Sequence, residues 1–246
     1  MRKLFSMFGA AFALTLASCS GGGEEGTAGL SGEVIENVAP PEGQEWNQVV
    51  TKTEQGGYLM GNPDAPIKLV EFASLTCPAC GAFAEQGYPP LRDNYIPSGR
   101  VSLEFRNFVR DPIDLSATML TQCGTDSAFF PLTEAVFAGQ QEMLGKMQSE
   151  GARLQAAIDL PEEQRYAALA DTVGLVDLFA ARGISRDQAT SCLSDPAKAK
   201  QLAESVQKAV EDYNVSGTPT FLLNGQTISY GGWTSLENQL QDLGAR

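Results

Sequence analysis

The run Glu71-Phe72-Ala73-Ser74-Leu75-Thr76-Cys77-Pro78-Ala79-Cys80 sets two cysteines two residues apart, behind an apolar stretch and at the mouth of a segment with helix signals. Thiols at this spacing can hold half of a zinc site, close a staple, or pass electrons to other thiols through a mixed disulfide. Pro78 suits the first helical turn, where its missing N–H costs nothing. Cys77 then sits at the helix N-terminus, where unpaired amides and the positive end of the helix dipole favour thiolate over thiol. Cys80 lies one turn further on, partly buried. That geometry makes Cys77 an exposed nucleophile and Cys80 a resolving thiol. Zinc needs four ligands, and the chain has no histidine, while Cys123 and Cys192 stand alone rather than in a second knuckle.

Several elements must position such a pair. Residues 62–66, Asn-Pro-Asp-Ala-Pro, form a turn cluster, and 67–72 follow as a short apolar run that reads as a buried strand. Helix signals run from Pro78 to about Gln86, and Pro89-Pro90 predict a kink or restart. Residues 101–108 alternate with period two, as a second strand does. From about 111 to 195 the pattern is helical, and Ser185 with Gln188 reads as a capping box ahead of Cys192. A helix is expected over 196–212, with Leu202, Val206, Ala209, Val210 and Tyr213 on one face. Residues 220–223 and 226–229 flank Asn224-Gly225 as a hairpin, and a last helix spans about 235–243. The order predicts an α/β fold: a thioredoxin-like core split by a helical insertion.

Composition narrows the chemistry. The chain has 246 residues, with 17 Lys+Arg against 30 Asp+Glu and a net charge of −13. Such a chain should avoid nucleic acid and anionic lipid surfaces. The absence of histidine excludes Ser-His-Asp and Cys-His nucleophile activation, histidine-ligated zinc enzymes and histidine proton shuttles. No P-loop or dinucleotide fingerprint is present, and no cofactor or metal is implied.

Residues 1–18 read as an export signal, with Arg2 and Lys3 ahead of an apolar run too short to span a membrane comfortably. Its end, Leu16-Ala17-Ser18-Cys19, resembles the lipobox of bacterial lipoproteins, which implies cleavage before Cys19 and a lipid on that cysteine. Ser20, not aspartate, leans by the same resemblance toward the outer membrane. Loss of the leader leaves fifteen cationic side chains against thirty acids, a net charge near −15. With Cys19 lipidated, four cysteines remain in an exported chain, an even number that favours two disulfides. Residues 19–45 are polar, with Gly21-Gly22-Gly23 and Pro40-Pro41, and are expected to form a flexible tether reaching on the order of 30 Å, ahead of a folded domain over 46–246.

Gly217-Thr218-Pro219, followed by an apolar strand, resembles the cis-proline loop of thioredoxin-fold oxidoreductases, and Glu71-Phe72-x-Ser74-x-x-Cys77-Pro78-x-Cys80 resembles the active-site segment of the DsbA branch. The resemblance covers about 58–246. It implies a DsbA-like fold with core about 58–110 and 197–246 and a helical insertion about 111–196. It also implies Cys77 as the attacking thiolate, Cys80 as the resolving thiol, and Thr218 and a cis Pro219 as the edge that receives extended substrate. Glu71 matches a buried acid of the family that serves the resolving cysteine as proton relay; a solvated carboxylate at a strand edge is its plain alternative. Cys123 and Cys192 resemble a second cysteine pair of some DsbA-like proteins, a structural staple or a regulatory pair. Strong DsbA oxidants carry histidine where this chain has Ala79, so Cys77 should be only mildly acidified. The expected activity is protein disulfide oxidoreduction on exported proteins in the bacterial periplasm, with oxidation ahead of isomerisation or reduction. Expected partners are exported proteins with cysteines, a membrane redox partner that recycles the pair, and the membrane itself through the lipid, with no nucleic acid. A non-enzymatic copper-binding lipoprotein, with Cu(I) held by the thiol pair, is the alternative of another class.

Overall fold

The computed structural model describes residues 32–246; the leader and Cys19 lie outside them. The hydrophobic segments condense around one mixed sheet of six strands, ordered β1-β2-β4-β3-β5-β6. These are β1 (Val50–Lys52), β2 (Tyr58–Gly61), β3 (Ile67–Ala73), β4 (Val101–Asn107), β5 (Thr220–Leu223) and β6 (Gln226–Ile228). β3 and β4 are parallel neighbours, whereas β5 joins β3 and β2 joins β4 antiparallel. β3 is therefore an inner strand. Ile67, Leu69 and Ala73 of β3 join the larger core, while Val70 and Phe72 join a smaller one with Ala209, Val215 and Leu222. A strand covered on both faces reads as a nearly continuous apolar run, as residues 67–72 do apart from Lys68 and Glu71.

The helices are α1 (Pro78–Pro90), α2 (Pro112–Thr121), α3 (Phe129–Ala138), α4 (Gln140–Ser149), α5 (Gly151–Ile158), α6 (Glu162–Thr172), α7 (Leu175–Ala180), α8 (Arg186–Leu193), α9 (Pro196–Tyr213) and α10 (Trp233–Asp242). α2 to α8 form the insertion between β4 and α9. Caps set several of the starts: Asp111 accepts from the amides of Ile113 and Asp114, and Asp195 from that of Lys198. Asn224 and Gly225 both have positive φ, the backbone a two-residue hairpin turn requires.

Four expectations are revised. α1 runs past the expected end at Gln86 through Pro89 and Pro90, and the expected restart comes at Leu91. The carbonyls the prolines would have served belong to Glu85 and Gln86, both exposed to water, and the chain continues through a π-helical turn at Leu91–Tyr95. β1 and β2 had no counterpart in the sequence reading. Val210 is 46% exposed, because the buried stripe of α9 follows Leu202 and Ala209. Finally, the free tether does not extend to residue 45: Ile35 N–H donates to Gly244 O (3.1 Å), Val38 N–H to Ser98 O (2.9 Å), and the Trp46 indole to Val38 O (2.7 Å). Arg246 also reaches the Gly32 carbonyl.

Candidate active site: a dithiol at the mouth of α1

β3 ends at Ala73, and the turn Ser74–Thr76 delivers Cys77 to the N-cap of α1, with Pro78 at the first helical position. The Thr218–Pro219 peptide is cis and precedes β5, which pairs with β3. Strand pairing thus carries the proline loop to the cysteines across 141 positions of sequence, and the Cys77 thiol donates to Thr218 O at 3.2 Å. Both cysteines are free thiols.

Cys77 is more covered than the sequence reading expects, at 5% exposed against 0% for Cys80. The Thr218 backbone lies over its sulfur, so a partner must approach through a narrow window. Burial is the largest influence on the Cys77 thiol and opposes ionisation. It is outweighed by the Thr218 hydroxyl, the Cys80 amide and thiol, and the Ala79 amide, which together hold the thiol below its ordinary pKa. The Thr218 hydroxyl is buried with no other partner, and so is available to the thiolate once the proton has left. Cys80 goes the other way: burial first, then the Glu71 carboxylate, push it far up. One helical turn therefore holds a thiol eased toward ionisation above one that resists it.

Glu71 is fully buried on the α1 side of β3, which excludes the strand-edge alternative. It pairs across the sheet with Phe221 on one side and Phe105 on the other. Tyr88 Oη of α1 donates to Glu71 Oε2 at 2.7 Å, while Oε1 has no protein partner. Burial raises the Glu71 pKa to about 8, despite the stabilising Tyr88 bond, with the Cys77 charge adding to the rise. The carboxyl can thus give or take a proton near neutral pH.

The insertion straps the turn ahead of Cys77. Asp114 Oδ1 accepts from Leu75 N–H (2.8 Å), and its Oδ2 from Arg110 N–H (2.9 Å). The Thr76 hydroxyl donates to Asp111 Oδ2 (2.6 Å), and Gln140 Nε2 to the carbonyls of Leu75 (2.9 Å) and Cys77 (3.0 Å). Burial brings the Asp114 pKa to about 7, against hydrogen bonds from Ser74 and the two amides.

A family model described as Thioredoxin matches residues 53–242. The chain belongs to the thioredoxin family. A protein-disulfide isomerase from Novosphingobium aromaticivorans is 36% identical with a TM-score of 0.70, covering 74% of this chain and 94% of that one. Wolbachia pipientis alpha-DsbA1, at 23% identity and a TM-score of 0.62, covers 76% of this chain and 90% of its own, and shares the fold. The Rickettsia bellii protein named "Putative protein-disulfide oxidoreductase" is 26% identical over 184 residues, 74% of this chain and 63% of that relative. The chain thus spans less than two thirds of the length of that rickettsial relative. The arrangement of a thioredoxin fold with an inserted helical block is DsbA-like.

Within this thioredoxin-family site, the fold brings together Cys77, Cys80, Glu71, Thr218 and Pro219. Cys123 and Cys192 are bonded to each other, with Cα atoms 5.9 Å apart, and sit in the insertion rather than at the site. Gln188 completes only half of the expected capping box: its amide bonds Ser185 Oγ (3.2 Å), while its side chain turns to the Cys123 carbonyl (3.1 Å). Sequence reasoning missed Tyr88, Asp111, Asp114 and Gln140. An Asp-Pro pair such as 111–112 is a signal that could have marked a helix cap, but nothing local says that the same carboxylate also holds Thr76.

Proposed function

We propose that the chain is a thiol:disulfide oxidoreductase of exported proteins that works mainly as an oxidase. One observation carries this reading: Cys77 Sγ sits at the N-terminus of α1 against the Thr218 backbone, with Cys80 buried beneath it. In the oxidising direction a substrate thiolate attacks Cys77 Sγ of the Cys77–Cys80 disulfide. A substrate–Cys77 bond forms and the Cys77–Cys80 bond breaks. Cys80 leaves as a thiolate and takes a proton from Glu71, the acid at hand near neutral pH. A second substrate thiolate then attacks the substrate sulfur of the mixed disulfide and expels Cys77 as a thiolate. The substrate has lost two electrons and the enzyme dithiol has gained them, so a redox partner must remove them before the next turn. Thr218 and Pro219 offer the extended edge along which the substrate lies. Stabilising the Cys77 thiolate favours the reduced enzyme, which makes its disulfide the stronger oxidant.

Isomerisation or reduction is the second reading. It is supported by the name of the Novosphingobium relative. Attachment to the periplasmic side of a bacterial membrane through Cys19, the outer membrane ahead of the inner, belongs to the same proposal. No helix among the described residues is long and apolar enough to cross a membrane.

The test is the midpoint potential of Cys77–Cys80, titrated in glutathione buffers and read by peptide mass mapping so that Cys123–Cys192 is scored separately. A value of about −120 to −180 mV makes the chain a donor of disulfides, whereas one near about −270 mV makes it a reductant and overturns the oxidase direction. Copper retained in proportion to protein after purification would instead support the metal-binding alternative.

A further inference from the structure

Beside the active-site turn, on the insertion, a groove of about 340 Å³ opens between the start of α2, the end of α5, α6 and the middle of α9. Its apolar surface comes from Val109, Leu115, Ile158 and Val206. Ile158 is 40% exposed, one of few large apolar side chains so exposed among the described residues. Two arginines stand on this lining, Arg110 and Arg165.

Those arginines, like Arg100, Arg182 and Arg246, have no carboxylate partner among the described residues. Acids outnumber bases 30 to 17, and other arginines, such as Arg92, Arg106 and Arg186, are paired with carboxylates. Arg110 is exposed. Arg165 spends one amino group on Leu160 O (3.1 Å) and leaves its Nε buried with no partner. The lining holds one carboxylate, Asp111, which already accepts from Thr76, Ile113 and Asp114. An apolar trough with two guanidinium groups not paired to carboxylates complements a segment that carries apolar and acidic side chains together.

Its position gives the groove a purpose. Asp111 is bonded to Thr76, the residue ahead of Cys77, and the Arg110 amide is bonded to Asp114, which holds Leu75. A polypeptide lying in the groove lies next to the turn that presents the nucleophile. We propose that this groove is a docking site for cysteine-bearing partner chains whose sequence near the reacting cysteine is apolar and acidic. The inference deepens the oxidoreductase reading by naming a class of substrate, and it rests on that reading for its purpose.

The test uses the full oxidised chain and synthetic 14-residue peptides. Each carries leucines and two glutamates, two glutamines or two lysines beside a cysteine pair, placed on either side of the pair in separate sets. Affinity is read by fluorescence anisotropy on serine-for-cysteine versions, and turnover on the cysteine versions. The glutamate peptides should bind about fivefold tighter than the glutamine ones at low salt, as two partly exposed ion pairs allow, and tighter still than the lysine ones. The preference should fade at 200 mM salt and disappear in R110Q/R165Q, with turnover at saturating peptide unchanged. Equal affinities in the parent chain, or a preference that survives R110Q/R165Q, overturns the inference. So does sedimentation showing a dimer of the parent chain that R110Q/R165Q dissolves, since a second copy would then fill the groove. Oxidoreductase activity fails separately: if no peptide is turned over, that reading falls, and the affinities still decide the groove.

Discussion

Replacing Tyr88 by phenylalanine isolates one hydrogen bond in the proton chemistry of the site. The ring stays packed edge-on against Phe83 and Phe137, at centroid distances of 5.5 and 6.3 Å, so the cavity is unchanged apart from one oxygen. What is lost is the 2.7 Å donation to Glu71 Oε2. With Oε1 already unpartnered, the buried carboxylate then has no protein donor at all. A hydrogen bond to a charged group contributes about 1.5–3 kcal/mol, and one pKa unit corresponds to about 1.4 kcal/mol. Glu71, already raised to about 8 by burial, should therefore move up by roughly one to two units. The assay is the rate at which Cys80 resolves a Cys77–glutathione mixed disulfide, followed against pH. In the parent chain the rate should rise through an inflection near the Glu71 value, as the carboxylate becomes able to accept the Cys80 proton. In Y88F that inflection should shift up by about one to two units, with the plateau kept, and in E71Q it should vanish. An inflection that stays in place in Y88F would refute the argument that the Tyr88–Glu71 bond sets the proton acceptor.

Other consequences follow from the same residues. Because the folded Glu71 value of about 8 lies above its ordinary 4.5, the native state keeps a proton that the unfolded chain has released between those values. Unfolding free energy should fall as pH rises through that window and level off above it. E71Q should therefore melt like the parent near pH 4 and be more stable above pH 8, by up to about 5 kcal/mol; equal melting at pH 9 would contradict the burial argument. T218V removes a hydroxyl that favours the Cys77 thiolate and should raise the Cys77 pKa, seen as a later rise in thiolate absorbance at 240 nm; no shift would assign the acidification to the Cys80 and Ala79 groups alone. C123S/C192S opens a bridge with a sequence separation of 69 residues and should cost up to about 4 kcal/mol in denaturant unfolding. A staple leaves the Cys77–Cys80 midpoint where it was, and a moved midpoint would make the pair regulatory.

The elements nearest the chemistry were the most legible in the sequence. Residues 67–72 showed an inner strand, Cys77-Pro78 a helix start, and Asn224-Gly225 a hairpin, because each depends on residues adjacent in the chain. The same run could not say which way Glu71 points: a strand buried on both faces is apolar at nearly every position, so alternation gives no direction. β1 and β2, three and four residues long, are too short to show a period. The Pro89-Pro90 pair marked the restart at Leu91 but not how far α1 would run, because its cost depends on whether water reaches the Glu85 and Gln86 carbonyls, which only the fold decides. The straps from Asp111, Asp114 and Gln140 join residues 35 to 65 positions apart, and no local signal marks such partners.

The fastening of residues 32–46 has a consequence for how the molecule meets others. Val38 is bonded at Ser98, just ahead of β4, and the first residue of β3, Ile67, is bonded to Arg100 beside it. Cys77 follows the far end of β3, seven residues on, a span of about 23 Å at the usual strand rise. The first described residues are therefore fastened at the pole away from the thiols. A support gripping the body at Gly32 would leave the dithiol facing outward, open to proteins diffusing past. A recycling partner seated on that same support would have to reach around the body, or catch it leaning over, to collect its electrons.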